Sequence, residues 1–211
     1  TKLPNDKKYE EIQNTKFAMV SGIDGEVKTY DDLDKSEQFT RMALDEALED
    51  AGLTKQNLSE LGSMVSMSLA TSIMGSDYII KYLENGGTDL KWILRSKAYL
   101  YKIAKEYNIK GGCYTTSTAC ASGSAGIGVA YDLIREGKAD AVICGGADHI
   151  SDISIFGFEA LKTLCKNICS PFDKNRDGIN IGEGSAFFII EEYEHAKKRN
   201  AKTYSEILGY G

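Results

Sequence analysis

Proline, histidine and long apolar runs are scarce in this chain of 211 residues. It has only 2 prolines against 21 glycines, so glycine and asparagine are expected to mark its turns. The longest strongly apolar stretches, such as residues 187–190, are too short to span a bilayer. The polar opening at residues 1–6 does not resemble a signal peptide. We therefore expect a cytoplasmic protein with no membrane partner.

Metal-ligating residues are also few, with two histidines and five cysteines that form no C-x-x-C pair. The odd number of cysteines is typical of a reducing compartment, and Cys165 and Cys169 are interpreted as small buried side chains. Residues 173–178 match the first half of a calcium loop, but its twelfth position, which needs a bidentate glutamate, is Gly184. We therefore predict no metal and no cofactor, and interpret this loop as a structural turn of aspartate and arginine.

The chain has no excess of positive charge. Its 31 acidic and 25 basic side chains give a net charge of −6, which argues against a nucleic-acid partner because phosphate binding needs a basic surface. The 42% of hydrophobic and 27% of charged residues are typical of a globular protein. The length is sufficient for one sizeable domain that buries most of its apolar surface.

Apolar periodicity predicts alternating strands and helices. The first helix follows a capping box formed by Asp34 and Glu37 and ends at Gly52. Further helices are predicted at residues 73–85, 90–107 and 193–199, and one that ends at Arg135 follows a segment of small residues at 119–128. Strands are predicted at residues 17–20, 64–69, 113–118, 141–144, 187–190 and 204–208. This alternation predicts an α/β fold with a mainly parallel, helix-covered sheet.

Cys120 is the candidate nucleophile, because it lies between a predicted strand and a predicted helix and is followed by small residues. The helix amino terminus would favour its thiolate, and backbone N–H groups there could stabilise an oxyanion on a bound thioester. The order of strand, nucleophile and helix also occurs in the nucleophile elbow of hydrolases. On local grounds alone, an inert cysteine buried in a tight turn is an equal alternative.

The run from Thr118 to Gly123, T-A-C-A-S-G, resembles the nucleophile motif of β-ketoacyl-acyl-carrier-protein synthases, the ketosynthases of fatty acid and polyketide assembly. Further landmarks follow in the family's order. They are the strand and G-G-A turn at 139–147, S-P-F-D at 170–173, R-D-G at 176–178, G-E-G at 182–184 and a helix at 191–202. The resemblance implies a thiolase-like α/β fold. It further implies that residues 1–211 are the amino-terminal, nucleophile-bearing half of a layered αβαβα architecture.

The resemblance also implies an acyltransferase in which Cys120 takes an acyl group from an acyl carrier protein. The acyl group would then undergo decarboxylative Claisen condensation with malonyl-acyl-carrier protein. In the family, two histidines of the carboxy-terminal half stabilise the enolate, and neither His149 nor His195 corresponds to them. We therefore expect an enzyme that is incomplete as a single chain, pairs with a complementary histidine-bearing half and forms an oligomer.

Two departures from the family keep an alternative open. The family's opening strand and its glycine-rich turn are not recognisable, and residues 95–102 replace the small and amide residues that line its acyl pocket and dimer contact. The alternative is a non-catalytic scaffold, or a subunit like a chain-length factor, that binds a ketosynthase partner or an acyl carrier protein. A thiolase proper fits less well, because the P-F-D and G-E-G landmarks match the ketosynthase branch.

Overall fold

The computed structural model of the protein describes residues 16–18, 20, 35–73 and 75–211, and for residues 92, 93 and 95–97 it describes the backbone alone. The chain divides into two compact units. The sheet unit comprises residues 33–148 and 185–211, and the small unit comprises residues 1–32 and 149–184. Within the described ranges, no helix has the length and apolar character that crossing a membrane requires.

Alternating helices and strands build the sheet unit, as the apolar pattern predicts. In chain order they are α1 (Lys35–Asp50), α2 (Lys55–Leu61), β1 (Val65–Ala70), α3 (Ser76–Glu84), α4 (Lys91–Glu106), β2 (Cys113–Thr116), α5 (Ser122–Arg135) and β3 (Ala141–Asp148). After α6 (Asp152–Ala160) of the small unit come β4 (Gly184–Glu191) and α7 (Tyr193–Lys198). The strand order is β2-β1-β3-β4, and β1 pairs in parallel with both β2 and β3.

The central strand β1 is buried along its whole length and supplies two different faces. Val65, Met67 and Leu69 point into a core shared with α1 and α4. On the other face, the Ser68 hydroxyl donates a 2.9 Å hydrogen bond to the Gly126 carbonyl of α5. Because successive side chains of a strand alternate between faces, this pattern requires helices on both sides of the sheet.

Helix α5 lies close to the sheet because its contact residues are small. A Cβ atom on Gly126 would lie 3.2 Å from Thr116 Oγ1 and 3.3 Å from the Ala70 Cβ, so a larger residue would push the helix outward. Farther along α5, Ala130 and Leu133 pack in a second core against β3. This close approach fixes where α5 begins relative to the end of β2.

Strand β3 continues through the two glycines at which the sequence predicts its end. Gly145 and Gly146 pair with Leu69 and Ala70 of β1, and the strand ends at Asp148. A Cβ atom on Gly145 would lie 2.2 Å from the Ala186 carbonyl oxygen of β4. The glycine therefore permits close strand packing here instead of forming a turn.

The predicted strand at residues 204–208 is wrong, because residues 201–211 form no strand with the described part of the chain. Side-chain hydrogen bonds hold this segment instead. The Tyr204 hydroxyl donates to Asp50 (2.8 Å to Oδ1), and the Tyr210 hydroxyl donates to Asp132 Oδ2 (2.6 Å). Helices α2 and α6 were not predicted, and Asp34 of the predicted capping box lies outside the described residues.

The small unit has its own core, formed by Phe17, Ile155 and Ile181. Of the predicted strand at 17–20, the described residues form one parallel bridge, from Ala18 to Gly182, and residue 19 lies outside the description. The Glu183 carboxylate accepts hydrogen bonds from the backbone N–H groups of Val20 (3.0 Å) and Ile150 (3.2 Å). Glu183 of the G-E-G landmark therefore links the segments around Val20 and Ile150 by hydrogen bonds.

The loop with a partial calcium pattern forms a turn, as predicted. Asp173 Oδ1 accepts a 2.7 Å hydrogen bond from the Asn175 N–H, and Arg176 Nη1 donates 3.0 Å to the Asp173 carbonyl. Cys165 is buried, but Cys169 is only half-buried and neither lies on a helix. The prediction that both are buried is therefore wrong for Cys169.

Candidate active site

Three neighbouring strand ends meet around Cys120. Thr71 follows β1, Ser117 follows β2, and Asp148 is the last residue of β3. These three strands are adjacent, and β1 is parallel to both of the others. Carboxyl ends of parallel strands lie at one edge of a sheet, which is where ligands bind in open α/β folds. The sequence predicts the position of Cys120 between strand and helix, and the topology places it at this edge.

The elbow, which we define as residues 117–121, turns the chain sharply from β2 into α5. Ala119 has a φ of +52°, in the left-handed region that residues with a Cβ atom rarely adopt. A short 3-10 turn at Ala119–Ala121 leads directly into α5 at Ser122. This conformation leaves Cys120 exposed, so the burial expected in the alternative of a cysteine in a tight turn is wrong.

Ser122 fixes the elbow from inside. Its buried hydroxyl donates a 2.6 Å hydrogen bond to the Ala119 carbonyl and accepts a 2.8 Å hydrogen bond from the Thr118 N–H. The Thr116 hydroxyl donates to the Ser122 carbonyl at 3.1 Å. These three contacts join the end of β2, the elbow and the first residue of α5.

The other cysteines are less accessible than Cys120. Cys144 lies fully within the core, and removal from water raises the pKa of its thiol to about 12. Burial also raises the pKa of the thiols of Cys165 and of the half-buried Cys113. Because the thiolate is the nucleophile, these environments disfavour reaction at the three sites. Cys169 is half-buried, so Cys120 is the most accessible of the five thiols.

His195 lies on a largely buried face of α7 and not on a solvated one. Its Nδ1 atom is 2.8 Å from Glu191 Oε1, and both side chains are largely buried. Arg199 pairs with the same carboxylate and donates a 2.6 Å hydrogen bond to the Ala51 carbonyl at the end of α1. His195 thus belongs to a cluster that anchors α7, while His149 is buried in the small unit.

The unusual stretch at residues 95–102 has a packing role at the positions whose side chains are described. Tyr99 is buried and its hydroxyl donates a 3.0 Å hydrogen bond to the Ser36 carbonyl of α1. Lys102 Nζ lies 3.2 Å from the buried Glu37 carboxylate of the same helix. These residues join α4 to α1, whereas Tyr101 is exposed.

Sequence reasoning missed Ser72, which contacts the elbow before Cys120, and Asp148, which holds Ser72. The Ser72 hydroxyl donates a 3.1 Å hydrogen bond to the Ala119 carbonyl, and Asp148 accepts a hydrogen bond from the Ser72 N–H. No local motif connects these positions, because Ser72 and Asp148 lie 76 residues apart in the chain. Only the shared sheet edge brings them together.

Comparison with known proteins gives consistent matches along most of the chain. Residues 6–196 match the sequence model of the beta-ketoacyl synthase N-terminal domain. The chain is 32% identical over 212 residues to the putative polyketide beta-ketoacyl synthase 1 of Streptomyces halstedii, with 90% of this chain and 49% of that protein covered. It is 32% identical over 220 residues to the 3-oxoacyl-[acyl-carrier-protein] synthase 2 of Vibrio cholerae, with 94% and 52% covered.

The fold is likewise shared with solved structures. One holds a type II PKS acyl-carrier protein in complex with its ketosynthase bound to the hexaketide. The similarity has a TM-score of 0.77 at 26% identity and covers 96% of this chain and 53% of that chain. The predicted thiolase-like α/β fold with a mainly parallel sheet is therefore confirmed. The chain spans about half the length of the two curated relatives described above.

Proposed function

Because this chain belongs to the β-ketoacyl synthase family through that family's N-terminal domain, we propose that it is the nucleophile-bearing half of a β-ketoacyl-acyl-carrier-protein synthase. Cys120 is the acyl acceptor in this proposal. The observation that carries it is the exposed Cys120 on a left-handed elbow, directly before α5 and within the T-A-C-A-S-G run. Its relatives are named as polyketide beta-ketoacyl synthases and as 3-oxoacyl-acyl-carrier-protein synthases, and we propose fatty acid or polyketide assembly as its pathway.

In the first proposed step, the Cys120 thiolate attacks the carbonyl carbon of an acyl group carried as a thioester. The negative charge moves to the carbonyl oxygen, where backbone N–H groups at the start of α5 can stabilise it. Collapse of this intermediate expels the carrier's sulfur as a thiolate and leaves the acyl group on Cys120. One thioester is broken and one is formed, so the step needs neither water nor an oxidant.

In the second step, malonyl-carrier protein loses carbon dioxide and the electron pair of the broken C–C bond forms an enolate. The enolate carbon attacks the acyl carbonyl, and the Cys120 sulfur leaves as the thiolate. The product is a β-ketoacyl group on the carrier, lengthened by two carbons. The enolate oxygen needs hydrogen-bond donors while the negative charge develops.

We assign these donors to two histidines of a complementary carboxy-terminal half, either a separate polypeptide or the remainder of a longer chain. Two features of the histidines in this chain support the assignment. His195 is engaged by Glu191, and His149 is buried in the small unit. We assign residues 1–211 to the amino-terminal domain, which the match of residues 6–196 supports.

The proposal is tested by acyl transfer from acyl-carrier protein, followed by intact-mass measurement and peptide mapping. We expect one acyl group on Cys120, none on the Cys120→Ser variant and unchanged loading on a Cys169→Ser control. The chain alone should not condense this group with malonyl-carrier protein, whereas addition of a histidine-bearing half should restore condensation. Condensation by the chain alone would show that His149, His195 or other groups supply the donors.

A second candidate function is a non-catalytic scaffold, or a subunit like a chain-length factor. It is favoured by exposed apolar side chains on α4, Leu94 and Tyr101, which are typical of a binding surface. Such a protein would bind a ketosynthase partner or an acyl carrier protein without acquiring an acyl group. The same loading experiment distinguishes the two functions, because carrier binding without an adduct on Cys120 supports the scaffold.

A further inference from the structure

We propose that Asp148 and Ser72 form a positioning relay that orients the peptide bond between Ala119 and Cys120. The inference rests on the proposed function, because it concerns the acyl transfer to Cys120. The relay crosses all three strand ends at the site, from β3 through the loop after β1 to the elbow after β2. Neither residue is assigned a catalytic role, since each acts on Cys120 through the backbone.

The first part of the relay is the Asp148 carboxylate, which fixes the loop after β1. Its Oδ1 atom accepts hydrogen bonds from Thr71 Oγ1 (2.5 Å), the Ser72 N–H (3.0 Å) and the Ile73 N–H (3.3 Å), and its Oδ2 atom lies 2.9 Å from the Ser72 nitrogen. Hydrogen bonds to an ionised carboxylate are stronger than those between neutral groups. Asp148 therefore holds three successive residues in one arrangement.

The second part is the Ser72 hydroxyl, which this arrangement directs to the elbow. It donates a 3.1 Å hydrogen bond to the Ala119 carbonyl. The same carbonyl accepts a second hydrogen bond, of 2.6 Å, from the Ser122 hydroxyl. Ala119 needs such support because its φ of +52° is unfavourable for a residue with a Cβ atom. Two hydroxyls from different segments therefore hold one carbonyl of the elbow.

The consequence for Cys120 follows from the planarity of the peptide bond. In a trans peptide, the Ala119 carbonyl and the Cys120 N–H lie in one plane and point in opposite directions. Holding the carbonyl toward Ser72 and Ser122 therefore directs the Cys120 N–H away from them. This N–H belongs to the nucleophile itself, so its direction determines whether it can donate to the oxyanion of the acyl-transfer intermediate.

The relay makes a prediction that separates positioning from general support of the fold. Acyl transfer passes through an oxyanion, whereas alkylation by iodoacetamide is a direct displacement at carbon without one. Loss of the Ser72 hydroxyl should therefore slow acyl transfer to Cys120 by roughly tenfold to a hundredfold. Alkylation of the same thiol should change by less than about twofold, because it needs only access and thiolate.

The test compares Ser72→Ala, Ser72→Thr and Asp148→Asn in the full chain, with both rate constants measured by mass spectrometry. Ser63→Ala is the matched control, because it removes an exposed hydroxyl at the opposite, amino end of β1. We expect Ser72→Ala and Asp148→Asn to lose acyl transfer selectively, and Ser72→Thr and Ser63→Ala to retain it. If Asp148→Asn fails to fold, the Ser72→Ala and Ser72→Thr pair still decides the result.

Unchanged acyl transfer in Ser72→Ala would overturn the relay. A parallel loss of acyl transfer and alkylation would also overturn it, since it would indicate a general disturbance of the elbow. If the unsubstituted chain acquires no acyl group while its Cys120 is alkylated normally, the proposed function itself fails, and the relay fails with it.

Discussion

At the scale of single residues, the thiols differ mainly in their access to water. Cys120 is exposed, whereas Cys144 has a pKa of about 12 because it is buried. At pH 8 only about one Cys144 thiol in ten thousand would be ionised, and its side chain is buried, so it should be alkylated far more slowly than the exposed Cys120. We expect limiting iodoacetamide to modify Cys120 first, as peptide mapping by mass spectrometry will show. Preferential labelling of Cys113 or Cys144 would contradict the assignment of the nucleophile.

The same buried thiol should make stability depend on pH in alkaline solution. The pKa of Cys144 is about 12 in the folded chain and roughly 8.5 when unfolded, so its contribution to stability is complete below about pH 8.5 and is lost as the pH rises toward 12. Between about pH 9 and 10, a thiol that ionises only on unfolding lowers the free energy of unfolding by about 1.4 kcal/mol per pH unit.

Urea unfolding across this pH range measures the effect. We expect the decline to be smaller in Cys144→Ser than in the unsubstituted chain, by up to about 1.4 kcal/mol per pH unit. A Cys169→Ser variant controls for the removal of a thiol as such, because Cys169 is only half-buried. Equal pH dependence in the Cys144→Ser variant and the unsubstituted chain would show that Cys144 is not the group responsible.

At the scale of elements, the contact between β3 and β4 depends on Gly145. A Cβ atom there would lie 2.2 Å from the Ala186 carbonyl oxygen, and a backbone atom cannot move aside as a flexible side chain can. We expect Gly145→Ala to lower the free energy of unfolding by about 1–3 kcal/mol or more, as overpacking does. Gly123→Ala is the control, because among the described residues nothing outside its chain neighbours and its own helix backbone lies within 4 Å of the added Cβ. In the first turn of α5, alanine should stabilise the helix by up to about 1 kcal/mol. Equal urea midpoints for the two variants would contradict the close approach.

The elements that the sequence predicts best are those with long apolar periodicity. Helix α4 and strand β1 lie within one residue of their predicted bounds. Helix α2 was not predicted because it has seven residues and buries only Leu58, so its sequence shows almost no apolar periodicity. Its capping box joins Thr54 to Asn57, and that of α6 joins Ser151 to Ser154, without the usual glutamate or glutamine.

At the scale of the whole molecule, the sequence predicts the nucleophile but not the residues that hold its loop. The candidate role of Cys120 rests on a local run of small residues, which can be read directly. The pairing of β1 with β2 and β3 brings Ser72 to the elbow and Asp148 to Ser72, and a sequence pattern does not specify which loops such pairing brings together. The pairing register of distant strands, rather than the local composition, therefore determines the contacts of Ser72 and Asp148.

The last prediction concerns assembly and starts from apolar surface that the described chain leaves uncovered. Helix α5 buries Ala130 and Leu133, and Ile127, Val129 and Ile134, which pack against the same core, are only partly buried. On α4, Leu94 and Tyr101 are 65% and 68% exposed. Exposed apolar surface of a few hundred Å² is typical of an interface. Leaving it in water forgoes several kcal/mol at roughly 25 cal/mol per Å², which is comparable with the stability of a domain.

We therefore expect the purified chain to associate, either with a complementary half or with itself, and to bury well over about 1,000 Å². Sedimentation velocity over a dilution series at micromolar concentration measures this, and urea unfolding of the same samples reports whether the smallest species is folded. Because association stabilises by mass action, the unfolding midpoint should rise with protein concentration. A monomer that unfolds cooperatively at a midpoint independent of concentration would refute the prediction, since its apolar faces would then need no partner.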